Sequence, residues 1–79
     1  MISFGGGILN GGELTVTNST LSGNGAQFGG GIYNTESGML TVQESELCDN
    51  FASLGADLYN AGELFLINSI VCDLFDTSS

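Results

Sequence analysis

An all-β chain wound as a parallel β-helix is the fold this sequence predicts, and three observations predict it. First, the phrase Phe28-Gly29-Gly30-Gly31-Ile32-Tyr33-Asn34 has an earlier copy in Phe4-Gly5-Gly6-Gly7-Ile8-Leu9-Asn10 and a worn one in Leu54-Gly55-Ala56-Asp57-Leu58-Tyr59-Asn60. Second, the residues after each copy alternate apolar and polar, as in Leu14-Thr15-Val16-Thr17 and Leu40-Thr41-Val42-Gln43, the period-two pattern of a strand with one buried face. Third, asparagines return at matching places in each copy. They suit tight turns because the side chain tolerates left-handed backbone and bonds its own loop. A unit of about 23–26 residues written three times is the period of a solenoid. The coils fall near residues 4–27, 28–53 and 54–76, with three short strands in each.

Taken in order, the first strand of the first coil lies near Gly7-Ile8-Leu9 and is closed by Asn10, with Asn34 and Asn60 as counterparts. The second runs from Glu13 to Thr17 and ends at Asn18, matched by Glu44 and Asn68. The third lies near Thr20 to Gly23 and is closed by Asn24, matched by Asn50. Coil two inserts residues in Thr35-Glu36-Ser37-Gly38, where coil one has Gly11-Gly12; a loop on a solenoid tolerates this. Stacking coils about 4.8 Å apart brings Ile8, Ile32 and Leu58 together inside. Leu14, Leu40 and Leu64 form a second inner row, Val16, Val42 and Leu66 a third, and Leu21, Leu47 and Val71 a fourth. Corner asparagines in such a stack can exchange side-chain amide hydrogen bonds. Helix is excluded, because no apolar 3.6-residue spacing persists and glycine interrupts it repeatedly.

Charge restricts partners more sharply than fold. Nine acids and no lysine, arginine or histidine give a net charge of −9 over 79 residues. Nothing can neutralise phosphate, so nucleic-acid binding and anionic membrane surfaces are excluded as partners. No apolar run reaches the ~20 residues of a membrane helix. Met1-Ile2-Ser3-Phe4-Gly5 lacks the basic end and apolar core of a signal peptide; the chain reads as a piece of a longer secreted one. The third copy also changes character. Phe65, Ile67 and Ile70 stand where earlier coils carry Thr15 or Thr41, Thr17 or Gln43, and Thr20 or Glu46. The outer face of that coil is therefore apolar and reads as an interface, to be covered by further coils or by self-association.

Gly5-Gly6-Gly7-Ile8 and Gly29-Gly30-Gly31-Ile32 resemble the GGAI half of the polymorphic outer membrane protein repeat. Leu21-Ser22-Gly23-Asn24 and Leu47-Cys48-Asp49-Asn50 resemble its FxxN half, with leucine for phenylalanine. The third copy departs from both, in Gly55-Ala56-Asp57-Leu58 and Val71-Cys72-Asp73-Leu74. The resemblance implies a right-handed β-helix of the pectin-lyase-like superfamily. It also implies an extracellular or outer-cell-surface location within a longer protein, where members serve as adhesins and stalks that meet carbohydrate or host-surface ligands.

Candidate chemistry is sparse. Polysaccharide lyases of that superfamily resemble one another in using calcium with a basic residue, and this chain has no basic residue. Glycoside hydrolysis needs two carboxylates about 5 to 9 Å apart, and only Glu44 with Glu46, or Asp49 with Asp73, offers a pair. Asp49 and Asp73, expected to stack across coils, are also the calcium candidates, since that ion prefers several oxygens; no cofactor is otherwise implied. Cys48 and Cys72 occupy one place in neighbouring coils and form either a free thiol ladder or a disulfide. Tyr33 and Tyr59 stack on an outer face, stabilising the sheet or offering a surface to sugar rings. The sequence thus points to a structural or adhesive segment, not an enzyme. The alternative is a fragment of a carbohydrate-active β-helix whose active site lies elsewhere.

Overall fold

The computed structural model describes residues 4–77. These residues form ten strands and no helix: β1 (Ile8–Asn10), β2 (Glu13–Thr17), β3 (Thr20–Leu21), β4 (Ile32–Asn34), β5 (Met39–Gln43), β6 (Glu46–Leu47), β7 (Leu58–Asn60), β8 (Glu63–Ile67), β9 (Ile70–Val71) and β10 (Leu74–Asp76). They assemble into three parallel sheets, ordered β1-β4-β7-β10, β2-β5-β8 and β3-β6-β9. Every third strand joins the same sheet, so the chain passes through about three stacked coils. The register is the one the repeat dictates. Ile8, Ile32 and Leu58 are in line, as are Leu14, Leu40 and Leu64, and Leu21, Leu47 and Val71.

The core lies between the sheets and is best sealed in the middle coil. Ile32, Leu40, Val42, Leu47 and Leu58 are fully buried and Val16 nearly so, with Ile8, Leu14, Leu21, Leu64 and Val71 packed against them. Full burial of such a side chain is worth roughly 1.5 to 3 kcal/mol. Among the described residues the end coils have a neighbouring coil on one side only and their inward residues are partly wet; Leu66, in register with buried Val42, is exposed.

Corners are made by left-handed backbone. Asn18, Glu44 and Asn68, each ending the second strand of its coil, have φ of 48°, 49° and 47°. A left-handed residue costs most side chains about 1 to 2 kcal/mol, and asparagine least. The glycine phrase serves the same purpose. Gly29 has φ 64°, with Gly5 and Gly55 alike, and a Cβ on Gly30 would run into the carbonyl oxygens of Phe51 and Ala56.

Two boundaries differ from the sequence reading. The third strand of each coil is only two residues long, because Gly23 (φ 71°) and Asp49 (φ 60°) turn the chain out of the sheet. The last coil is also cut short. Coils one and two return from the third sheet to the first through residues 22–31 and 48–57, whereas β9 reaches β10 through Cys72 and Asp73 alone. Leu74 therefore pairs with Leu58, Phe75 with Tyr59 and Asp76 with Asn60. The segment 74–76, read from sequence as the end of coil three, is the first strand of a further coil.

Candidate functional site

Three polar ladders run up the corners of the stack. In the first, Asn10 Nδ2 donates to Asn34 Oδ1 at 2.9 Å, Asn34 Nδ2 to Asn60 Oδ1 at 2.7 Å, and Asn60 Nδ2 to Asp76 Oδ1 at 3.1 Å. The amides also bond nearby backbone, as from Asn34 to the carbonyls of Gly38 and Glu63. In the second, the backbone N–H and Nδ2 of Asn24 both donate to Asn50 Oδ1, and those of Asn50 both donate to Asp57 Oδ1. In the third, the N–H of Ser19 donates to Ser45 Oγ and that of Ser45 to Ser69 Oγ, at 3.0 and 3.1 Å. Among the described residues no buried side-chain nitrogen or oxygen lacks a partner. The ladders hold coils in register and consume their own hydrogen-bonding capacity.

The cysteines are joined as a disulfide between adjacent coils, with Cα atoms 5.1 Å apart. A loop of this length closed by a disulfide stabilises by about 3 kcal/mol in the chain-entropy account. The bridge sits where the shortened third coil turns away, tying β9 to the body of the stack.

Past Cys72 the register changes, and this corrects the placement of Asp73. Its carbonyl accepts from the amides of Asp57 and Leu58, which places it at the entrance to the first sheet, whereas Asp49 remains at its own turn with its carbonyl accepting from Gly23. Among the described residues no three side chains of the ligand types are grouped closely enough to hold a metal ion.

The outer face of the first sheet carries an aromatic column. Tyr33 and Tyr59 stack at 4.7 Å and 10°, and Tyr59 stacks on Phe75 at 5.0 Å. Beside them Phe4 stacks on Phe28 at 5.3 Å, and each of these meets a tyrosine edge-on. Burial, then the charges of Tyr59 and Glu36, raise the Tyr33 phenol above its usual pKa, so the neutral form is the one the column accepts. Sugar stacking needs an open ring face, and these faces are largely turned on one another.

A shallow, open groove runs along the second corner, lined by Asn18, Thr20, Glu44, Glu46, Asn68 and Ile70 among others. Glu44 and Glu46 both line it, and both are exposed. Such a groove can accept hydrogen bonds from hydroxyls or meet a cation.

Phe65, Ile67 and Ile70 are 50%, 45% and 58% exposed, in register with Thr41, Gln43 and Glu46, as the alternation requires. The serine ladder and Asp57 escaped sequence reasoning. The first had a signal, since serine comes directly after each left-handed corner residue, at spacings of 26 and 24. The second had none, because Asp57 aligns with Gly31 and substitutes for an asparagine the shortened coil lacks. No family model, curated protein or solved structure matches this chain.

Proposed function

We propose that this chain is a segment of a right-handed parallel β-helix of the polymorphic outer membrane protein type, acting as a structural or adhesive repeat. It performs no catalysis of its own and belongs to a longer protein outside the cell or on its surface. The observation that carries this reading is the in-register stacking of β1-β4-β7-β10, β2-β5-β8 and β3-β6-β9, braced by side-chain ladders at the corners. Such bracing favours a stiff spacer: each level repeats the last, and outward residues vary freely between Thr15, Thr41 and Phe65. Partners in this reading are further coils or a second copy at the apolar face of Phe65, Ile67 and Ile70, and carbohydrate or host-surface groups along the outer faces.

A second reading, a fragment of a carbohydrate-active β-helix with its active site elsewhere, draws on the acidic groove of Glu44 and Glu46. One assay separates turnover from binding. The chain is incubated with polyuronates in calcium, and both unsaturated product and retention on immobilised polysaccharide are measured. The structural reading expects no product. Product formed by this chain alone overturns it.

A further inference from the structure

Tyr33 and Tyr59 are the chain's two tyrosines, and the fold places one on the other. They lie in register on β4 and β7, where parallel pairing gives both side chains the same direction. Their rings are 4.7 Å apart and 10° from parallel. Two like rings related in this way put each carbon near its counterpart, so the carbons ortho to the two hydroxyls are neighbours. The stack lies on the outer face of the first sheet, and both tyrosines are half-buried, not sealed in the core.

The surroundings of the pair narrow its chemistry. Phe75 stacks on the far side of Tyr59, and the rings of Phe4 and Phe28 meet Tyr33 and Tyr59 edge-on. On the far side of Tyr33 the residue in register is Leu9. None of these carries a hydroxyl, so each phenol has one phenol neighbour. The rest of the chain offers a one-electron oxidant little else. There is no tryptophan and no histidine, and both cysteines are already joined to one another. Burial, then the charges of Tyr59 and Glu36, hold the Tyr33 phenol above its usual pKa, so an electron leaves it together with a proton. The tyrosyl radical that results carries much of its unpaired electron on the ortho carbons.

We propose that Tyr33 and Tyr59 form an oxidative cross-linking site: a one-electron oxidant of the peroxidase class joins their rings as dityrosine and binds coil two covalently to coil three. Each phenol loses one electron to the oxidant and its hydroxyl proton to water. The two ortho carbons then bond, and their hydrogens move to the oxygens, which restores both phenols. Two electrons and two protons are lost in all, and one hydrogen peroxide is reduced to two waters. The product ties β4 to β7, as the disulfide ties the same two coils just after β6 and β9. Tethered neighbours react as though at about millimolar concentration, so at about 1 μM chain the pair outruns coupling between molecules by roughly a thousandfold. Repulsion between chains of net charge −9 widens that margin. The proposal needs the in-register stack and is independent of a structural or adhesive role.

The test treats the full chain, at about 1 μM, with a haem peroxidase and hydrogen peroxide. Dityrosine fluorescence and mass are followed, with circular dichroism on the untreated chain. The expected product is a monomer lighter by two hydrogen atoms. After the disulfide is reduced and the chain is cut after its glutamates, the peptides 14–36 and 47–63, which hold Tyr33 and Tyr59, remain joined. Tyr33→Phe leaves a single tyrosine and forms no cross-linked monomer. Tyr59→Phe with Phe65→Tyr keeps two tyrosines but moves one from the first sheet to the second. Its yield of cross-linked monomer falls roughly tenfold or more below the parent's. A folded, strand-rich parent that gives only cross-linked dimers, or no dityrosine, overturns the proposal. So does a moved-tyrosine variant that couples within the chain as well as the parent does. A parent without strand structure contradicts the stack, and the proposal with it.

Discussion

Asn34 shows how single side chains set the register. It is fully buried, accepts from Asn10, and donates to Asn60 and to the carbonyls of Gly38 and Glu63. A buried polar group that loses its partner costs about 1 to 3 kcal/mol, and truncating Asn34 strips partners from groups on three coils. Asn34→Ala should therefore destabilise the chain by roughly 3 kcal/mol. Asn18 is exposed and contributes chiefly its left-handed backbone, with φ 48°, so Asn18→Gly should change stability by less than about 1 kcal/mol. Urea unfolding of the two variants measures both. Equal losses would mean that the buried ladder contributes nothing beyond corner geometry.

Among the strands, β8 is the one whose two faces disagree with its place. Its inward Leu64 and Leu66 continue the core rows, but its outward Phe65 and Ile67 are as apolar, and Ile70 on β9 extends the patch. Each such side chain, once buried, contributes roughly 1.5 to 3 kcal/mol, enough in sum to draw the patch into contact with another surface. The variant Phe65→Thr, Ile67→Thr, Ile70→Thr restores the residue type of the first coil. It should lower the sedimentation-average mass of the chain and raise its solubility; unchanged mass and solubility would show that the patch is not an interface. The strands themselves were legible because alternation in Leu14-Thr15-Val16-Thr17 and its copies has one reading on a half-buried sheet. The return of the last coil was not. Val71-Cys72-Asp73-Leu74 keeps to the pattern of Leu47-Cys48-Asp49-Asn50 until its last residue, where leucine replaces asparagine. Only pairing partners distant in sequence decide that Leu74 joins Leu58. The disulfide was legible as one of two alternatives, since stacking puts the cysteines within range and leaves their oxidation open.

Across the molecule, repetition explains how so small a chain is ordered with no basic side chain to pair its acids. Each level satisfies the backbone of the next, three ladders absorb the corner amides and hydroxyls, and one disulfide ties the shortened coil to the body. The acidic surface, with nine carboxylates and no basic side chain, adds a repulsion between molecules that burial of the apolar patch on β8 and β9 has to overcome. All of this depends on equivalent residues of successive coils lying side by side in parallel register, and nuclear Overhauser contacts in solution probe that arrangement. Backbone contacts should link Leu9 to Tyr33 and Tyr33 to Tyr59, and likewise Thr15 to Thr41 and Thr41 to Phe65, at the roughly 4.8 Å spacing of paired strands. Close Hα–Hα contacts between strands adjacent in sequence, such as β1 with β2 or β4 with β5, are the mark of antiparallel hairpins and would contradict it.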